Sequence, residues 1–129
     1  METDKSPYID GFVFPVLRNR LEDYAKVAQS VADIYREYGA IEYREFVGDE
    51  MARPGIWPFP EMVNAADNEA IVFGWIVYES REARDRINAK IEVDPRMAEW
   101  VAPLMDGENP VFNPARMAYG GFKPLVNAS

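Results

Sequence analysis

Asp10 stands in a segment, Tyr8-Ile9-Asp10-Gly11-Phe12-Val13-Phe14, in which an acid alternates with aromatic rings. In a strand successive side chains point to opposite faces, so Tyr8, Asp10, Phe12 and Phe14 share one face. A carboxyl buried among rings has its pKa raised and can serve as a proton donor or base near neutrality. The plainer reading leaves Asp10 near a strand end, solvated or paired with an arginine such as Arg44. A second apolar segment, 70–78, alternates between Phe73, Trp75 and Val77 on one face and Val72, Gly74, Ile76 and Tyr78 on the other. Gly11 and Gly74 would let helices approach their faces closely. That placement puts Asp10, Phe12, Phe73 and Trp75 together on the helix-free side of a sheet. The result is a pocket for a flat apolar or aromatic ligand, with Tyr43 or Tyr119 as a polar handle. The competing reading is a dry sheet-to-sheet interface. For catalysis, Asp10 would be the base, Tyr119 or Tyr43 the hydrogen-bond donor, and Trp75 a stacking wall.

Much other chemistry is excluded by composition. The 129-residue chain has no Cys and no His, so it offers no disulfide, thiolate nucleophile, imidazole base or thiolate zinc site. A metal could be held only by carboxylates, carbonyls and water, and no metal site or cofactor is expected. Phosphate-binding glycine loops are missing. Fourteen basic against 22 acidic residues leave a net charge of -8, which argues against nucleic acid as a partner, since no Lys/Arg run relieves it. The polar, acidic start of the chain does not read as a secretory signal, and no apolar run reaches the roughly 18–20 residues of a membrane span. The cytoplasm is the expected location.

The elements that position these residues follow from periodicity. Residues 8–14 read as a strand ended by Pro15. Asn19 and Glu22 have the spacing of a capping box opening a helix. Leu21, Tyr24, Ala28, Val31, Tyr35 and Tyr38 recur every three or four residues along that helix, which makes its tyrosines core rather than site, and Gly39 stops it. Residues 40–47 give a second strand, and 70–78, apolar on both faces, a central one. Ser80 caps a helix with Ala83, Ile87 and Ile91 inward. Its charged start, 79–86, reads as a solvated face with pairs such as Glu82–Arg86. Asp94-Pro95 starts a short helix through about Trp100, and 116–122 is a last strand. Methionines such as Met97 and Met117 read as packing residues.

Two successive β-α-β units in one domain spanning 1–129 predict an α+β, ferredoxin-like βαββαβ sandwich with an antiparallel four-stranded sheet. Two helices cover only one face of such a sheet, so a central strand apolar on both faces needs a second cover. A second copy of the chain, sheet against sheet, supplies one. The connection 48–69, with Pro54, Pro58 and Pro60 beside Trp57 and Phe59, is too long and stiff for a plain linker. It reads as a flap over a sheet edge or the dimer seam, or else as a lid over a ligand.

Several of these segments together resemble the YbaA-like family of uncharacterised bacterial proteins. They are Tyr8-Ile9-Asp10-Gly11-Phe12-Val13, Tyr38-Gly39-Ala40-Ile41-Glu42-Tyr43, Phe73-Gly74-Trp75-Ile76-Val77-Tyr78-Glu79-Ser80-Arg81 and Arg116-Met117-Ala118-Tyr119-Gly120-Gly121-Phe122, with Asn88-Ala89-Lys90 and Asp94-Pro95-Arg96-Met97. The resemblance implies a ferredoxin-like fold of the dimeric α/β-barrel kind and supplies no activity. Three functional readings follow. The first is a homodimeric small-molecule-binding protein with an aromatic-lined cavity. The second, by analogy with other dimeric α/β barrels, is a cofactor-independent monooxygenase or isomerase. The third is a dimer acting through protein partners or in stress responses without a ligand.

Overall fold

The computed structural model describes residues 6–128; the acidic stretch 1–5 lies outside the described residues. The strands are β1 (Tyr8–Leu17), β2 (Glu42–Val47), β3 (Glu69–Tyr78) and β4 (Ala118–Phe122), and the helices are α1 (Leu21–Glu37), α2 (Phe59–Met62), α3 (Arg81–Glu92) and α4 (Pro95–Met105). The sheet order is β2-β3-β1-β4 with every neighbouring pair antiparallel, which is the expected ferredoxin-like arrangement.

Cross-strand register decides which side chains meet, because directly paired residues share a face. Asp10 pairs with Ile76, Phe12 with Gly74 and with Tyr119, while Tyr43 pairs with Ile76 and Glu45 with Gly74. All of these lie on the helix-covered face. Phe73 pairs with Val13 and Phe46, and Trp75 with Gly11 and Arg44, so Phe73 and Trp75 lie on the other face. The expected grouping of Asp10 and Phe12 with Phe73 and Trp75 is therefore wrong. Gly74 faces the helices and Gly11 faces away, so the two glycines do not mark one side. What approaches Gly74 is the ring of Phe12, which a Cβ there would meet at 2.6 Å, with the Arg44 carbonyl at 2.8 Å.

The helices follow their sequence signals with instructive exceptions. A 3₁₀ turn, Arg18–Arg20, feeds α1 and takes up Asn19, so the capping box does not form and Arg20 precedes the helix without a side-chain cap. Gly39, at φ +112°, ends the segment, and the Ala40 amide donates to the Tyr35 carbonyl at 3.0 Å. Ser80 accepts from the Ala83 amide at 3.1 Å, with Ala83, Ile87 and Ile91 buried as expected. Asp94 caps α4 through the Arg96 amide at 2.9 Å and also accepts from the Tyr38 hydroxyl at 2.6 Å. α4 continues past Trp100 to Met105 with Pro103 inside it. β4 starts at Ala118 rather than Arg116, because Pro114–Arg116 form a 3₁₀ turn that directs Arg116 onto Glu69 at 2.6 Å.

α1, α3 and α4 pack on the face of Phe14, Ile76 and Tyr78, and this layer is the core. Phe14 meets Tyr24 and Phe112 edge-on, with centroids 5.5 and 5.2 Å away. On the opposite face, Phe46 stacks on Trp75 at 5.1 Å, and Phe59 of α2 meets Phe73 at 5.6 Å. The 48–69 connection thus covers part of the helix-free face.

Candidate functional site

The helix layer does not fill the space above the sheet. A cavity of about 370 Å³ remains between β1–β4 below and α1, α3, α4 and Phe112 above. Phe12, lying across Gly74, forms part of its floor, with Tyr43 tilted beside it at 6.3 Å and Tyr35 a further 5.3 Å from Tyr43. Val31, Ile91, Val101 and Leu104 supply an aliphatic roof. The volume falls in the range of small-ligand pockets, and so does the balance of apolar walls with a few polar groups.

One polar end is built on Asp10, which is only 3% exposed. Its Oδ1 accepts from the Tyr119 hydroxyl at 2.7 Å and from Arg84 Nη1 at 3.0 Å, and its Oδ2 accepts from the Tyr78 hydroxyl at 3.1 Å. Arg84 Nη1 also donates to the Tyr119 oxygen at 3.0 Å, closing a triangle. The Tyr119 hydroxyl is pushed up to about 12, first by burial and then by its hydrogen bond and proximity to Asp10. It therefore stays neutral at physiological pH and keeps its proton directed at Asp10. Arg84 turns inward from the charged start of α3 and crosses the Tyr8 ring at 4.8 Å.

The other polar end is Glu45. Tyr24, from α1, donates to Oε1 at 2.5 Å, and Tyr43, from the same strand, donates to Oε2 at 2.7 Å. Burial raises the carboxyl's pKa, and the two hydroxyl donors hold back part of that rise. The same burial, with Glu45 beside them, pushes both tyrosines up, so neither ionises. Tyr35 is raised to about 12 by burial and then by the charge of Asp10, Tyr119 and Glu92. Among the described residues no group of three or more acidic side chains is placed to hold a metal ion.

Of the residues singled out from sequence, Asp10, Phe12, Tyr43 and Tyr119 line this cavity, whereas Phe73 and Trp75 lie on the far side of the sheet. Asp10 is paired with an arginine, but with Arg84 rather than Arg44, which faces away and covers Phe46 at 5.2 Å. Tyr24 and Tyr35, expected to be plain core, are also cavity walls, as are Met97 and Met117. Arg84, expected on the solvated face of 79–86, instead turns inward onto Asp10, and Glu45 is a site residue that the sequence did not single out. Glu45 stands two residues from Tyr43 and so shares its face. Arg84, Asn88 and Ile91 follow at the i, i+4, i+7 spacing of one helical stripe.

The fold has relatives among solved structures. A NIPSNAP family protein of unknown function from Agrobacterium tumefaciens superposes with a TM-score of 0.58 at 15% identity, covering 95% of this chain and 92% of its own. A protein described as a candidate antibiotic biosynthesis monooxygenase from Nitrosomonas europaea reaches 0.54 at 8% identity, covering 100% of both chains. At these identities the likeness is one of fold. In sequence, the chain is 36% identical over 120 residues to the uncharacterized protein YbaA of Escherichia coli K12, covering 93% of this chain and 97% of that protein, and equally to YbaA of Shigella flexneri. Residues 7–107 match the model of the family described as "Protein of unknown function (DUF1428)", and the chain, a relative of YbaA, belongs to that family.

Proposed function

We propose that the protein is a homodimeric, cytoplasmic small-molecule-binding protein, built as one domain, whose cavity takes a small, flat apolar or aromatic ligand. The observation that carries this reading is the cavity itself: space the size of a substituted ring or fused ring pair, walled by aromatic rings and carrying ordered polar groups at two ends.

Binding is favoured over base catalysis by the state of Asp10. Three donors, one of them a guanidinium, already occupy its carboxylate. A base must lend a free lone pair to the substrate's proton, and these donors leave Asp10 only one, on Oδ2. The monooxygenase or isomerase reading rests on fold likeness alone, which does not carry function. The homodimer is supported by the helix-free face, where Phe46, Phe73 and Phe122 are 44%, 40% and 54% exposed beside Trp75. A second copy would cover a patch of rings that a monomer would leave in water. No helix among the described residues is long and apolar enough to cross a membrane.

Native mass spectrometry on gently purified protein tests both parts together. The expected spectrum is a dimer that carries a reproducible extra mass, or that acquires one when offered small aromatic compounds. A stable monomer at micromolar concentration would remove the dimer, and a dimer that takes up none of them would remove the ligand.

A further inference from the structure

We infer that the Glu45 end of the cavity is a counter-ion site for an organic cation, so that the ligand class is a protonated amine carried on an aromatic or apolar body. The inference rests on reading the cavity as a ligand site and goes on to name its charge preference. Three carboxylates, Asp10, Glu45 and Glu92, line the cavity, and no Lys or Arg lines it. Arg84 neutralises Asp10. Glu92 is exposed at the rim and keeps its water. Glu45 is part-buried, and among the described residues it makes no ion pair.

The groups facing Glu45 are all neutral. They are the Tyr24 hydroxyl on α1 and the Tyr43 hydroxyl on β2, with Gly74 opposite it on β3 and the Tyr35 ring beyond Tyr43. Each carboxylate oxygen receives one hydroxyl proton and keeps further lone-pair capacity. A part-buried carboxylate without a counter-charge is costly, and a bound cation offsets that cost. The rings of Tyr43, Tyr35 and Phe12 line the same cavity, and aromatic walls favour a cation over a neutral group of the same shape. An anionic ligand would bring one more negative charge into a lining that holds no cation.

The test is isothermal titration of the full chain at pH 7 with phenethylamine, its neutral alcohol counterpart and the carboxylate of the same carbon skeleton. The amine should bind about tenfold or more tighter than the alcohol, as expected for one charge-assisted hydrogen bond, and the carboxylate should give no heat. Glu45→Gln should erase the amine's advantage over the alcohol. Equal binding of amine and alcohol, or an amine preference that survives Glu45→Gln, overturns the cation site and leaves the cavity reading standing. If none of the three binds, the cavity reading falls and the inference with it. Should the variant fail to fold, the wild-type protein still decides. Amine affinity should fall as pH is lowered through the raised pKa of Glu45, while that of the alcohol stays level, and a level amine curve rejects the proposal.

Discussion

Asp10 and Arg84 form the most buried ion pair among the described residues, with side chains 4% and 13% exposed, and their consequences are asymmetric. Replacing Arg84 by Met strands a carboxylate whose side chain is only 4% exposed. The expected loss is about 3 kcal/mol, the lower end for breaking a buried pair from one side. Replacing Asp10 by Asn strands only the guanidinium, which already bonds Asp85 at 2.7 Å and lies nearer the surface. That variant should lose about 1–2 kcal/mol, because the amide oxygen can keep Tyr119 and Arg84 as donors while the amide NH2 donates to the Tyr78 oxygen. Urea unfolding of both variants checks the order, and an Asp10→Asn protein less stable than Arg84→Met would show that the pair is not the source of the asymmetry. Arg84 escaped notice in the sequence for a physical reason. A run of alternating charges at a helix start is normally solvated, and only the stripe shared with Asn88 and Ile91 marks one member as facing inward. Glu45 had a plainer signal, its two-residue spacing from Tyr43, but a charge in a half-exposed strand is usually assigned to solvent.

At the scale of elements, two joints hold the cavity's roof and floor. The start of α4 is fixed to the end of α1 by Asp94, which caps the helix, accepts from Tyr38 and is gripped by Arg96; Arg96 also reaches Glu37 at 2.5 Å. Hydrogen bonds from Arg96 and then Tyr38 hold the Asp94 carboxyl well below the usual carboxylate range. A group depressed in the folded state contributes stability that is present above its unfolded pKa and is lost as pH falls through the folded one. Thermal midpoints should therefore drop as pH goes below about 4, and Asp94→Asn should lower the midpoint at neutral pH and flatten that acid limb. Differential scanning calorimetry across the acid range reads both effects. The floor depends on Gly74. In Gly74→Ala a Cβ would meet the Phe12 ring and the Arg44 carbonyl, and only the ring can move. A destabilisation of about 1–3 kcal/mol is expected, as for overpacking elsewhere. The displaced ring should also shrink the cavity, read as weaker uptake of the neutral aromatic probe. Helix ends and caps at Gly39, Ser80 and Asp94-Pro95 could be read from sequence because each is a local backbone requirement. The two faces of the sheet could not be matched between strands, because alternation fixes parity within a strand and only register fixes it across one. Pairing Asp10 with Ile76 rather than with Trp75 puts Phe73 and Trp75, two of the six expected site residues, on the other side of the sheet.

For the whole molecule, the two faces of one sheet divide the tasks. The helix face keeps the cavity, and the other carries Phe46, Trp75 and Phe73 in edge and stacked contact, with Trp75 Nε1 donating to Glu42 at 2.9 Å. The Phe59 flap covers one end of this ladder and leaves Phe46 open, so the sequence's requirement for a second cover is met only in part within one chain. Phe46 is thus the sharpest probe of the proposed dimer, because its ring packs on Trp75 without touching the cavity. Phe46→Glu replaces the ring with a charge beside Arg44 where two sheets would meet, and desolvating that charge on association costs several kcal/mol. Sedimentation velocity should show the wild type as a dimer and Phe46→Glu as a monomer at micromolar concentration, with unchanged far-ultraviolet circular dichroism. Ligand uptake by the monomeric variant then separates the two halves of the proposed function. The cavity's lining residues all belong to one chain, so the monomer should still bind the neutral probe with an affinity within about threefold of the proposed dimer's, since the exposed rings lie on the opposite side of the sheet. Loss of binding on dissociation would mean that the second copy shapes the cavity through the sheet, whereas a variant that remains dimeric would place the interface elsewhere.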